Sequence, residues 1–390
     1  MITEVPILDR AAMKRLPRRA REVVEYRKSG LSLNHIQGCP LDCAYCIRHT
    51  YGLWDQRRPT ALMSDADAVH ALVSHRYFRA GRTPIQLFNR ATDPFLPAVV
   101  PHTMAVLEAL NARELTNHVL VITRYRVSAE HCEQINALAH LKVTLFFTYS
   151  GIEDRRIEPF PSGVAAASLT TATAHAVRYR TVLYWRPIVP GLNDRPEHLE
   201  AAVELSKQAH ATVFTGLFYR AEIAAYYKSA GLPEPYTMTA RRKIVPEELE
   251  QRILTAFASG AGGPLFRKTS CAVSYAHGLP DYNGHYGIRE LCDICPTGQL
   301  ATCGSAHVRP TPEQVAALAR ELPEAQALNV TSIDDTAVQV DGLATEQPRY
   351  YLQHALGYQV HDVHHPYRTR RHGRADIGWT DPAPAGAVPR

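Results

Sequence analysis

The chain has 390 residues, a formal net charge of +5, 45% hydrophobic and 21% charged residues. That is enough apolar material for two domains, or for one large barrel with an appendage, and too mild a charge to demand a nucleic-acid partner. No apolar run is long enough to span a membrane, and no apolar segment follows the basic residues Lys14, Arg15, Arg18, Arg19 and Arg21, so the expectation is a cytoplasmic chain with no membrane partner.

Residues 1–30 are polar and partly helical in character. Segment 31–36 then alternates like a strand and leads into Cys39. Further strand-like segments follow at 85–88, 118–123 (HVLVIT), 142–149 (KVTLFFTY), 180–188 (RTVLYWRPI) and 211–217. Helical patterns lie between them at 65–78, 102–111, 128–139, 163–178 and 196–209. Ser64 with Asp67 reads as a variant capping box, and Asn193 or Asp194 is available to cap the helix that Pro196 opens. Six βα units imply a parallel sheet, and six-eighths of a TIM-type barrel fits residues 31–220. An open doubly wound sheet is the alternative, but no G-x-G-x-x-G follows the first strand.

From residue 221 the alternation stops. Residues 221–263 read as a helical connection and 264–310 as a metal-binding segment rich in Cys, Gly, Tyr and His. Residues 311–380 form a C-terminal extension, with helices at 311–325 and 345–358 and a basic run at 368–374, and residues 381–390 after it read as a disordered end. The fold class expected is therefore α/β: a partial (β/α)6 TIM-type barrel with a C-terminal extension that holds a second metal site.

Seven of the eight cysteines fall into two groups, which in a reducing compartment points to metal and not to disulfides. Cys39, Cys43 and Cys46 form a CxxxCxxC triplet just after the first barrel strand. Three thiolates on one loop take three corners of a 4Fe–4S cluster and leave the fourth iron open. A zinc site completed by His35 or His49 is the competing reading. Cys271, Cys292, Cys295 and Cys303 have the spacing C-x20-C-x2-C-x7-C, which fits an auxiliary 4Fe–4S cluster or, alternatively, zinc. The Tyr- and His-rich stretch 274–287 between them wraps the second site or closes over an active site. Cys132, with Ile135 and Ala139 on its helix face, reads as a buried small residue.

The triplet, with Tyr45 directly before its third cysteine, resembles the radical S-adenosylmethionine (SAM) superfamily. The Asn89–Pro94 segment, the Glu158-Pro159 pair and the PIVPGLND stretch resemble its spore photoproduct lyase-like branch. The resemblance implies that SAM chelates the open iron and that one electron cleaves it to methionine and a 5′-deoxyadenosyl radical, which abstracts hydrogen from a substrate. It implies a one-electron reductase such as flavodoxin or ferredoxin as partner. It places SAM contacts at Tyr45, Asn89, Thr92, Asp93, Thr123, Arg124, Thr148, Ser150 and Arg186. The substrate expected is a small molecule or nucleotide-like. Two further readings are a DNA photoproduct repair lyase, opposed by the absence of any cysteine between Cys46 and Cys132, and a non-enzymatic metal-stabilised nucleic-acid-binding protein using the basic run.

Overall fold

The structure is a computed structural model that describes residues 4–237, 239, 245–343 and 345–364. The basic run 368–374 and the end 381–390 lie outside the described residues. The strands are β1 (Val24–Arg27), β2 (Gly30–Leu33), β3 (Ile36–Gln37), β4 (Thr60–Ala61), β5 (Ile85–Leu87), β6 (His118–Thr123), β7 (Lys142–Tyr149), β8 (Arg180–Ile188), β9 (Ala211–Gly216), β10 (Leu265–Phe266), β11 (Asn329–Ile333), β12 (Ala337–Asp341) and β13 (Gln359–Asp362).

The main sheet runs β1-β2-β5-β6-β7-β8-β9-β10. Every pairing from β2 to β10 is parallel, while β1 meets β2 as an antiparallel hairpin. The six strands expected from the sequence are all present. The near-continuous burial of β6, β7 and β8 reflects helices packed on one face and a lined interior on the other. Residues from β5 (Gln86), β6 (Thr123), β7 (Thr148), β8 (Tyr184, Arg186) and β9 (Thr215) all line one cavity, so the sheet curves around it as part of a barrel. β1 and β10 extend the sheet on either side of the 31–220 segment. Both are short, and β10 is only Leu265-Phe266, too brief for an alternation signal.

The crossover helices run Asp65–Val73, Val100–Asn111, Ala129–Asn136, Ser162–Ala174 and Pro196–Ser206, several ending before the sequence pattern does. Ser64 accepts from the Asp67 N–H at 3.1 Å, as its cap position requires. The cap expected at Asn193 or Asp194 falls instead at Arg195. Asn193 is buried and spans loops, with its Oδ1 accepting from Val189 N at 2.8 Å and its Nδ2 donating to Ser150 O at 2.6 Å. Asp194 accepts from Gly191 N and Arg252. Burial of the loop made Asn193 more useful as a cross-link than as a cap. Cys132 is fully buried.

After β10 come helices Thr269–Ala276, Arg289–Cys292 and Thr297–Ala306. Beyond them a three-stranded sheet, β11-β12-β13, carries helix Glu346–Leu356 as the crossover between its parallel pair. This sheet was not legible in the sequence, because polar residues interrupt β11. It docks on the hairpin edge, where Tyr26 Oη meets His354 Nδ1 at 2.7 Å. Among the described residues no helix is long and apolar enough to cross a membrane.

Buried histidines give the fold an acid limit. The His118 and His277 ring centroids are 5.3 Å apart, and burial lowers their pKa values to about 4 and about 3. A histidine whose folded pKa is depressed stabilises the fold only while neutral, so stability falls as pH drops from about 6.5 toward 4. For His118 alone the loss is about 3 kcal/mol. Urea melts across this range should show it, and His118→Gln should flatten the slope; an unchanged slope would refute the assignment.

Candidate active site

The cysteine loop leaves the sheet through β3 and returns through β4, which pair antiparallel at Ile36↔Ala61 and Gln37↔Thr60. Gly38 turns the chain at φ +103°, where a Cβ would collide with the carbonyl of Arg58, so only glycine fits. Backbone bonds then pin the loop: Gly38 N to Ala91 O, Cys39 N to Gln56 O, Ala44 N to Ile157 O and Cys46 N to Cys43 O, all 2.8–3.1 Å. Thr92 Oγ1 donates to Gly38 O at 2.5 Å, tying the β5 loop to the cysteine loop.

Cys39, Cys43 and Cys46 line a cavity of about 280 Å³. Also lining it are Tyr45, Asn89, Thr92, Asp93, Thr123, Arg124, Thr148 and Arg186. Eight of the nine SAM-contact candidates therefore converge with the triplet. The ninth, Ser150, is buried behind the wall, where its hydroxyl donates to Glu158 at 2.7 Å. Loop 274–287 is absent from the lining; it wraps the second cysteine group instead.

Several lining residues also have structural partners. Asn89 Oδ1 accepts from Ser32 Oγ at 2.5 Å. Asp93 accepts from Thr123 Oγ1 at 2.6 Å, Arg124 N at 2.8 Å and Phe95 N at 3.0 Å, fixing the ends of β5 and β6 against each other. Sequence reasoning noted Glu158 but gave it no role. It forms a buried network in which Tyr45 Oη donates to Glu158, Arg124 Nη1 donates to Tyr45 Oη at 2.8 Å, and Arg124 pairs with Glu158 at 3.2 Å. Ser150 and Ser162 donate to the same carboxylate. No local spacing signals this group, because Tyr45 and Glu158 are 113 residues apart.

The triplet's environment fits a cluster better than a single ion. Burial pushes the Cys43 thiol up to about 12 and Cys39 well above its usual range, while Arg124 and Arg48 pull the other way. Two buried guanidinium groups beside three thiols suit an anionic iron–sulfur cluster, whose charge they offset. A fourth protein ligand is not at hand among the described residues: His35 Nε2 is bound to Asp65 at 2.7 Å, and His49 stacks on Trp54 with ring centroids 3.9 Å apart and does not line the cavity. Arg48 Nε, Gln86 Nε2 and Arg186 Nε are buried without a hydrogen-bond partner, donors that a bound molecule in the cavity would satisfy.

The second group is carried by three short helices. Cys271 lies on Thr269–Ala276, Cys292 ends Arg289–Cys292, Cys295 follows it, and Cys303 lies on Thr297–Ala306. Each thiol is shifted up, chiefly by burial, and for Cys295 the next contributions come from Cys292 and Cys303. Asp281 and His285, both buried, sit among them. Thr269 lines the main cavity, so the helix bearing Cys271 starts at the cavity wall.

Fold and site together define an α/β partial barrel with a three-cysteine loop at the mouth of an interior cavity. No family model matches the chain, and no curated protein matches it. Among solved structures it is similar to a spore photoproduct lyase complexed with dinucleoside spore photoproduct, at 13% identity over 68% of this chain and 86% of that one, TM-score 0.47. It is similar to a radical SAM methyltransferase from Sphaerobacter thermophilus, at 16% identity over 63% and 69%, TM-score 0.42. SuiB of Streptococcus suis bound to its precursor peptide SuiA is similar at 9% identity over 60% and 46%, TM-score 0.40.

Proposed function

We propose that the chain is a radical SAM enzyme acting on a small-molecule or nucleotide-like substrate. The observation that carries this is one cavity in which Cys39, Cys43 and Cys46 meet polar residues from five successive strands. When bound, a 4Fe–4S cluster and SAM supply one-electron cleavage of SAM to methionine and a 5′-deoxyadenosyl radical. The protein's part is to hold the three thiols on a pinned loop, neutralise charge with Arg48 and Arg124, and shield the cavity from water. Asn89, Thr92, Thr123, Arg124 and Thr148 are the residues proposed to orient SAM; Asp93 acts by bracing the β5 and β6 ends.

The cavity lining includes Arg27, Lys28, Arg48, Arg90, Arg124 and Arg186 against two carboxylates, Asp42 and Asp93. Burial lowers the Lys28 pKa to about 8, still enough for substantial charge at neutral pH. This excess of cationic groups in the lining favours an anionic substrate, consistent with a nucleotide-like one. The cysteines in the lining are those of the triplet, which supports the small-molecule reading over a photoproduct repair that uses a cysteine hydrogen donor. A non-enzymatic binder leaves the cavity unexplained. The four cysteines of the second group build a second metal centre, and a flavodoxin or ferredoxin would deliver the electron.

The test is anaerobic reconstitution with iron and sulfide, then dithionite and SAM. The expected products are methionine and 5′-deoxyadenosine, with a SAM-dependent change in the reduced cluster's EPR spectrum. A reconstituted cluster whose spectrum ignores SAM and that yields no 5′-deoxyadenosine would overturn the proposal.

A further inference from the structure

The second cysteine group can hold either one metal ion or a multi-iron cluster. Among the described residues, the compact set with ligand atoms all within 4.8 Å of one another is Cys271, Asp281 and His285; no three of the four cysteines are so close. The Cys39/Cys43/Cys46 sulfurs are spread in the same way. Thiolates on one zinc ion must crowd to within two metal–sulfur bonds of each other, whereas thiolates on a cubane sit on separate irons and stand farther apart. The four cysteines therefore do not form a closed single-ion set among the described residues, which favours the cluster reading. The compact trio then needs another explanation.

Hydrogen bonding supplies it. Cys303 Sγ accepts from Gln299 Nε2 at 3.2 Å and from the Asp281 backbone N–H at 3.4 Å. Gln299 is one helical turn before Cys303 and is buried; its amide is oriented by a second bond to Leu279 O at 2.9 Å. Cys271 Sγ lies 3.9 Å from His285 Nδ1. That ring is fixed by Asp281 Oδ2, which is 2.8 Å from Nδ1 and accepts from His285 N at 2.9 Å. N–H donors on cysteinyl sulfur stabilise the more negative, reduced cluster and so raise its reduction potential.

We propose that the Gln299 side chain and the Asp281 backbone are positioning groups that direct N–H donors at Cys303 and set the potential of a cluster held by Cys271, Cys292, Cys295 and Cys303. The proposal rests on the reading of the second group as a cluster site. It makes the Cys303 corner electronically distinct from the other three.

The experiment uses the full chain, reconstituted anaerobically. Iron is counted first: about eight irons per chain fits two clusters, and about four with one zinc overturns the cluster reading itself. In the eight-iron protein, potentiometric EPR should show the SAM-insensitive signal of Gln299→Met at a lower midpoint than the parent, with the SAM-responsive signal unmoved. Gln299→Glu should lower it at least as far. An unmoved midpoint overturns the role of Gln299 while leaving the cluster in place. Should Gln299→Met fail to hold its cluster, the unsubstituted protein decides: exchange into D2O should alter exchangeable-proton couplings of the auxiliary signal in ENDOR, and no exchangeable coupling overturns the proposal. Zinc that is bound by the parent and lost from Asp281→Asn would place a single ion at the trio and overturn it too.

Discussion

Cys43→Ala is expected to abolish SAM cleavage, with 5′-deoxyadenosine formation falling at least about a thousandfold, equivalent to more than about 4 kcal/mol of barrier. It should also lose about four irons per chain, because two thiolates on this loop no longer hold a cubane. The effect is this large because Cys43 is doubly committed. Burial raises its pKa to about 12, so its thiolate forms only against a bound cation or metal, and Arg124 and Arg48 are the nearby charges that ease it. The fold should survive, since the loop is pinned by backbone bonds at Gly38, Cys39, Ala44 and Cys46 that an alanine at 43 leaves in place. Iron analysis, circular dichroism and product assay on the same preparation check all three points. A Cys43→Ala protein that keeps its full iron and still yields 5′-deoxyadenosine would remove the triplet from the chemistry.

Glu158→Ala is expected to destabilise the chain by about 3–5 kcal/mol, the cost of leaving one member of a buried ion pair without its partner. The Glu158 side chain is 1% exposed and that of Arg124 is 14% exposed. Removing the carboxylate takes one acceptor from Arg124, Tyr45, Ser150 and Ser162 together. Burial pulls the Arg124 pKa down, but Cys43, Tyr45 and Glu158 outweigh it and hold the group charged. In the variant that charge faces the triplet with less restraint, so SAM binding should weaken as well as stability. Glu158→Gln should fall between parent and alanine, since it keeps an acceptor but not the charge. Urea unfolding and SAM titration measure the two effects, and a Glu158→Ala protein within about 1 kcal/mol of the parent would show the pair to be weakly coupled.

These two substitutions differ in how visible their sites are in the sequence. The Cys39/Cys43/Cys46 spacing is local, and so are the strand ends that supply Asn89, Thr123 and Arg124. Each follows from periodicity and a short motif, without knowledge of where the chain goes next. The same locality located all six barrel strands. It failed for β1, β10 and β11-β12-β13, which are short or polar and depend on a neighbouring strand for their existence.

What the residues determined alone was the order of βα units and the two cysteine groups. The tertiary structure decided which side chains face inward. It moved Ser150 behind the wall to hold Glu158, turned Asn193 from a cap into a loop cross-link, and brought Asp281, His285 and Gln299 against the second set of sulfurs. The physical reason is that a periodic pattern records which face of an element is apolar. A buried polar group, in contrast, is satisfied by whatever donor the fold brings within about 3 Å, however distant in the chain.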